Sequence, residues 1–352
     1  MLEKRVKKEL ELFVGNVTPG LKIQTFYKGS KLLDLEMGDV YPYYDLASLT
    51  KVIFSTTLFM NLYGNLPRIL EDKVLKHLNW FMKSSVSVRE LLTHTSGLTW
   101  WKPLYQSINM DAPREERWNS LKNILANEKI ELAPKAVYSD LNFLMLGFLL
   151  EENYNKPLND LWSLIQEEFK LSHTSFHIDN QSPHSINKYA PTEECSWRQR
   201  RLQGQVHDEN AFALGGVAPH AGLFGTIDDL SLWMLQLREL FVSENNKKGN
   251  FITSETVQTF FKRAISPSVG DFALGFMMKS AENSTAGTLM SRNTIGHTGF
   301  TGTSVWFDLD NDLIVSVLSN RVFFGRGNTE QTRAMRAAIH DTIFKNVVGQ
   351  GE

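Results

Sequence analysis

The chain has 352 residues, 42% of them hydrophobic and 22% charged, with a formal net charge of −2. That balance suits a soluble globular protein and gives no electrostatic reason to expect nucleic acid or an anionic membrane as partner. The single cysteine, Cys195, excludes an internal disulfide.

The N-terminus, Met1 to Val14, mixes Lys and Arg with Glu3, Glu9 and Glu11 and lacks a continuous apolar core of the kind a secretion signal needs. Leu2, Val6, Leu10 and Phe13 suit an amphipathic helix lying on a core. A cytoplasmic location is the expectation; a processed form of a longer precursor would be periplasmic. Residues Leu21–Lys28 and Lys31–Met37 alternate apolar and polar around Gly29-Ser30, the pattern of a β-hairpin.

Ser48-Leu49-Thr50-Lys51 opens an apolar stripe at helical spacing, through Val52, Ile53, Thr56, Met60 and Tyr63, with Gly64 as a helix stop. A serine hydroxyl is a poor nucleophile unless a neighbouring base takes its proton. A lysine three residues on lies one helical turn away on the same face. If its amine is partly desolvated, its pKa falls and it manages the serine's proton. Ser185-Ile186-Asn187-Lys188 repeats the spacing, but in a polar stretch after Pro183 with no apolar period behind it. Context therefore selects Ser48.

From Ala47 to about Leu235 the pattern is mainly helix and loop, with helices expected over Val88–Thr93, Arg114–Glu128, Tyr138–Glu151 and Asn159–Phe169. The greasy run Leu141 to Leu150 is too short to span a bilayer. Tyr138-Ser139-Asp140 precedes it at a loop-to-helix junction, where side chains can face a cleft. A tyrosine there could donate a proton to a leaving group, or act as base if a cation lowers its pKa. His173 and His177 are spaced like metal ligands, with His184 beyond. The intervening residues read as strand or loop and no HExxH glutamate is present, so neither a metal nor a cofactor is expected.

The polar stretch Lys279–Asn293 reads as a loop between two strands. His297-Thr298-Gly299 then precedes Thr303–Asp308, which pairs as a hairpin with Leu313–Ser319, and Thr329–Val347 closes the chain as a helix. Strands at both ends with helices between predict an α+β fold. Residues 1–54 and 236–352 would form a discontinuous sheet lobe and 55–235 a mainly helical lobe, with the site between them.

The ordered set SxxK, YxD and HTG resembles the serine β-lactamase and DD-peptidase superfamily, in the branch related to class C β-lactamases and their esterase relatives. Leu91–Leu98, Gly215–Phe224, Ile295–Asp308 and Ser319-Asn320-Arg321 also match that branch. The resemblance implies a β-lactamase/transpeptidase-like fold, an antiparallel sheet flanked by helices with a large, mostly helical insertion. It makes Ser48 the acylated nucleophile, Lys51 its proton partner and Tyr138 the activator of attack and of the deacylating water. It puts the oxyanion hole on the backbone N–H groups of Ser48 and Phe300, with Thr298 and Gly299 beside them, and His220 on the cleft wall. His94, within the Leu91–Leu98 match, reads as structural.

Two departures narrow the reading. His297 stands where β-lactamases and DD-peptidases usually carry a lysine that binds the substrate carboxylate, and a histidine is mostly neutral at pH 7. Asp140 stands where class C enzymes carry asparagine; an ionised aspartate can only accept, and would hold Lys51 charged by raising its pKa. The expectation is a serine hydrolase acting through an acyl-enzyme on an ester or amide of a small molecule or peptide. Weak β-lactamase activity, acyl transfer, and a non-catalytic scaffold that kept the fold are the competing readings. Oligomeric state is not legible.

Overall fold

Alternating apolar residues at the two ends of the chain build one antiparallel sheet. The chain is described by a computed structural model over residues 2–82, 85–131, 133–243 and 251–349. In chain order the strands are β1 (Gly20–Tyr27), β2 (Ser30–Gly38), β3 (Tyr44–Asp45), β4 (Ser175–Phe176), β5 (Glu194–Cys195), β6 (Arg200–Arg201), β7 (Leu223–Gly225), β8 (Met277–Met278), β9 (Thr294–Thr298), β10 (Ser304–Asp308) and β11 (Leu313–Ser319). The main sheet runs β2-β1-β11-β10-β9-β8, so the N-terminal hairpin pairs with the C-terminal one through β1 and β11.

Period two sorts the side chains of β11 to two faces. Leu313, Val315 and Val317 pack with Leu21, Ile23 and Trp306 under the terminal helices α1 (Leu2–Leu10), through Val6 and Leu10, and Thr329–Val347, through Met335, Ile339 and Ile343. Ile314 and Leu318 point the other way, into the larger core. Every residue of β11 is buried, as a strand covered by helices on both faces requires. The first hairpin turns at Lys28-Gly29, one residue earlier than expected, because both residues take positive φ (52° and 79°).

The helix that follows Ser48 is not uniformly α. Lys51–Thr56 is π-helical and leads into α2 (Thr57–Asn65), which runs one residue past Gly64. Thr57 Oγ1 donates to the carbonyl of Val52 at 3.0 Å. After α3 (Val74–His77), α4 (Val88–Leu92) and α5 (Arg114–Ala126) comes α6 (Asp140–Tyr154), capped by the Ser139 hydroxyl. Residues 141–150 are all buried, so the greasy run is the central helix of the large core. Truncating one of its leucines would cost about 2–5 kcal/mol. No helix among the described residues is long and apolar enough to cross a membrane.

α7 (Leu158–Phe169) and α8 (Glu209–Ala213) precede α9 (Ile227–Val242). α9 lies on β1, β10 and β11 through Leu230, Trp233, Met234 and Leu237, so residues 235 and 236 fall within one sheet-packed helix. α10 (Ser254–Phe261) and α11 (Thr329–Val347) complete the set. β3, β4 and β7 form a small second sheet, of which β4 and β7 lie inside the segment expected to be helix and loop. Strands of two or three residues are too short to show a period.

Candidate active site

Strand β3 aims Ser48. Asp45 is buried and accepts the N–H of Ala47 (2.8 Å) and of His207 (2.7 Å), which closes the chain sharply after the strand. Ala47 is held at φ +48°, a left-handed conformation that costs a non-glycine residue about 1–2 kcal/mol. Ser48 emerges from this turn partly exposed, directly before the helical residues. Its N–H has no acceptor among the described residues.

Lys51 is fully buried, and its ammonium meets three oxygens. It donates to Ser48 Oγ at 2.9 Å and to the carbonyl of His220 at 3.2 Å, and pairs with Asp140 Oδ1 at 2.7 Å. The Tyr138 oxygen is a further acceptor beside these three. Burial alone would push this lysine down, but Asp140 and the Tyr138 oxygen outweigh it and hold the pKa above the usual lysine value. The expectation of a lowered lysine pKa is corrected on that ground. The expectation that Asp140 keeps Lys51 charged agrees with the geometry.

Tyr138 lies against this group, with the ammonium 5.1 Å from its ring centroid and its phenol oxygen interacting with both Ser48 and Lys51. Burial pushes its pKa up; Lys51 offsets this only in part, and Asp140 adds to the rise. At neutral pH Tyr138 is therefore a phenol, and the idea that a nearby cation brings its pKa below the ordinary value is corrected. His94 supports it. The imidazole, itself at φ +59°, lies 4.8 Å from the Tyr138 ring, and its Nδ1 accepts the N–H of Ser139 at 3.0 Å. Burial and the Lys51 charge keep His94 neutral, so it serves as a structural acceptor.

The opposite wall is the turn between β9 and β10. Thr301 Oγ1 donates to the Asp45 carbonyl (2.7 Å) and Thr303 Oγ1 to that of Leu46 (3.1 Å), which ties the turn to the strand that aims Ser48. Arg336, from α11, donates to the carbonyls of Gly299 (2.6 Å) and Thr303 (3.0 Å), and Arg321 Nε to that of Phe300 (2.8 Å). The N–H of Phe300 has no acceptor among the described residues, so two free donors flank the serine.

A cavity of about 480 Å³ opens here, lined among others by Ser48, Tyr138, Asp140, Thr298, Gly299 and Phe300, with Trp100 and Trp101 on one side. His297 does not line it. The imidazole is buried behind Tyr138, bonded through Nδ1 to the Thr298 carbonyl, and pushed down to about 3 by burial and by Lys51. His220 is corrected as well. Its ring is buried behind the wall and bonded to Asp208 at 3.0 Å; Ala221 lines the cavity in its place.

No lysine stands at 297, but three arginines, Arg321, Arg326 and Arg336, stand in the cavity wall. Burial brings Arg336 down to about 9 and Arg321 to about 10, and neither is in an ion pair among those of the described residues. Sequence reasoning also missed Asp208, whose only local signal is that of a helix cap before Ala211. Ser185 lies before a short surface 3-10 turn, and the histidines that suggested a metal have separate partners: the His177 ring stacks on Phe224 at 3.9 Å with its Nδ1 2.9 Å from the Gly204 carbonyl, while His184 stacks on Tyr43.

The chain is 28% identical, over 84% of its length and 73% of the relative's, to an Escherichia coli (strain K12) protein provisionally named D-alanyl-D-alanine carboxypeptidase. Among solved structures it superposes on EstCE1, described as a hydrolase with promiscuous acyltransferase activity, with a TM-score of 0.68 at 18% identity, covering 96% of this chain and 98% of that one. A D-stereospecific amidohydrolase from Streptomyces sp. gives a TM-score of 0.68 at 19% identity, covering 99% of both chains. These superpositions establish the β-lactamase/transpeptidase-type fold. The model of the beta-lactamase family matches residues 43–339, and the chain belongs to that family.

Proposed function

We propose that the protein is a serine hydrolase that forms an acyl-enzyme on Ser48 and acts on an ester or amide. The observation that carries this reading is the buried Lys51 ammonium, held between Ser48 Oγ (2.9 Å) and the Asp140 carboxylate (2.7 Å), two residues that line an open cavity. A scaffold that had lost its chemistry would have no cause to bury a lysine on a serine hydroxyl.

Lys51 already carries its proton, so Tyr138 is the base. Once Tyr138 is ionised, Ser48 Oγ–H passes its proton to the phenolate as Oγ attacks the carbonyl carbon. The tetrahedral oxyanion forms against the N–H groups of Ser48 and Phe300, each worth about 10²–10³ in rate. Tyr138 O–H then protonates the leaving group, the C–O or C–N bond breaks, and the acyl-enzyme remains. Water repeats the sequence with Tyr138 taking its proton.

A peptide or a small-molecule ester fits the cavity, and the carboxypeptidase name of the Escherichia coli relative supports the peptide. Trp100 and Trp101 offer an apolar wall for the acyl group, while the arginines keep anionic substrates in range. The test is labelling with a fluorophosphonate, followed by rates on p-nitrophenyl esters, a chromogenic cephalosporin and D-amino-acid peptides. Wild type is labelled on Ser48 and Ser48→Ala is not. Unlabelled, folded wild-type protein would overturn the proposal.

A further inference from the structure

His220 is a buried histidine that does not itself line the cavity, and its carbonyl touches Lys51. Three hydrogen bonds join the turn it occupies to the helix after Ser48. Ser55 Oγ donates to the Pro219 carbonyl (2.6 Å), Lys51 Nζ to that of His220 (3.2 Å), and the Leu223 N–H donates to Thr50 Oγ1 (3.2 Å). On its other side the ring is pinned, with Nε2 3.0 Å from Asp208 Oδ1. Asp208 also accepts the Ala211 N–H at 2.7 Å as the cap of α8, and lines the cavity. Ligating atoms of Asp140, Asp208 and His220 all lie within 4.8 Å of one another.

We propose that Asp208 and His220 form a positioning pair, in which the ring bond fixes the turn so that its carbonyl holds Lys51 over Ser48, and the Asp208 carboxylate joins Asp140 in keeping Lys51 charged. The pair rests on the reading of Ser48 as nucleophile. It explains why a helix cap stands in the wall of the cavity, since a second carboxylate near the ammonium lowers the energy of the cation. Around Lys51 the titratable groups are Tyr138, Asp140, His94, His297, Asp208 and His220; around Asp208 they are His220, Asp140, Lys51, Asp45 and Arg198. Despite its burial, Asp208 is held below the usual carboxylate range by His220 and by the Ala211 N–H.

Asp208→Asn separates the cap from the charge, because asparagine caps a helix as well as aspartate does. The measurement is the pH dependence of Ser48 labelling by a fluorophosphonate, together with kcat and KM on a neutral p-nitrophenyl ester. The expected result is a shift of the alkaline limb to lower pH by about one unit, the order expected for one charge at this range. KM is expected to stay within about twofold. In His220→Phe, which keeps the carbonyl and a ring but cannot bond Asp208, kcat falls about tenfold or more with KM unchanged, as a misplaced catalytic group predicts. A limb that does not move in Asp208→Asn, or a raised KM with unchanged kcat, would overturn the pair. Titration of the Lys51 side chain by carbon NMR gives the same answer without turnover: its pKa falls in Asp208→Asn, and an unchanged value refutes the proposal even if Ser48 is never labelled.

Discussion

Replacing Asp140 by asparagine tests the electrostatics of the site most directly. The carboxylate stands 2.7 Å from Lys51 Nζ. At an effective dielectric of 20, two unit charges at that separation attract by about 6 kcal/mol. Asparagine keeps an oxygen for the ammonium and loses only the charge, and neighbouring dipoles relax, so the net effect is the smaller one seen for close pairs, about one to three pKa units. Its sign is fixed. Asp140 raises both Lys51 and Tyr138, so its removal lowers both. Under the proposed mechanism Tyr138 must lose its proton, so the wild-type acylation rate is expected to climb about tenfold per pH unit through neutrality and to level only above the usual tyrosine pKa of about 10. Asp140→Asn moves that limb to lower pH by about one to three units. The assay is pseudo-first-order inactivation by a fluorophosphonate from pH 6 to 11, with Ser48 occupancy read by intact mass. A limb that stays in place, or moves upward, would refute the assignment of Tyr138 as base beside a permanently charged Lys51.

Gly299→Ala places a Cβ into Thr303 Oγ1 and 2.7 Å from the Leu46 carbonyl, so the turn must move away from Ser48. Steady-state kinetics should show kcat reduced about 10²-fold or more, the size expected for one oxyanion donor, and an unchanged kcat would remove Phe300 from that role. Glu193 accepts hydrogen bonds from Arg326 at 2.6 and 2.7 Å. Burial opposes its ionisation, but Arg326 and His207 hold its pKa at about 2, below the ordinary 4.5. A depressed folded-state value stabilises the protein above pH 4.5 and ceases to do so as pH falls toward 2. Chemical denaturation should find wild type more stable than Glu193→Gln at pH 6, with the gap closing between pH 4.5 and 2; a gap independent of pH would show that the pair contributes no charge-dependent stability.

How much was legible depends on whether a residue's partners are near it in sequence. Ser48 and Lys51 are three apart on one helix face, so their contact follows from spacing, and the hairpins and α11 follow from period. Asp208 and Arg336 reach the site from 160 and more residues away. Nothing in their own neighbourhoods distinguishes a cap or a helical arginine from a cavity wall. His297 and His220 fail differently: the sequence places them beside the site, but which way a ring turns is settled by tertiary packing. The pKa of Lys51 was likewise a contest between burial and two nearby oxygens, and only the 2.7 Å contact decides it.

The π-helical segment at Lys51–Thr56 has a consequence for length rather than for side-chain chemistry. An i→i+5 ring accommodates one residue more than an α turn and so offsets the phase of everything after it by roughly 100°. Lys51 keeps its angle to Ser48, while Leu58, Phe59 and Leu62 are turned to meet the core at a different angle. Deleting one residue between 52 and 56 would restore a regular helix and force a choice between the two faces. This stretch is therefore a point where a change of chain length cannot be absorbed, since no repacking nearby returns the missing rotation.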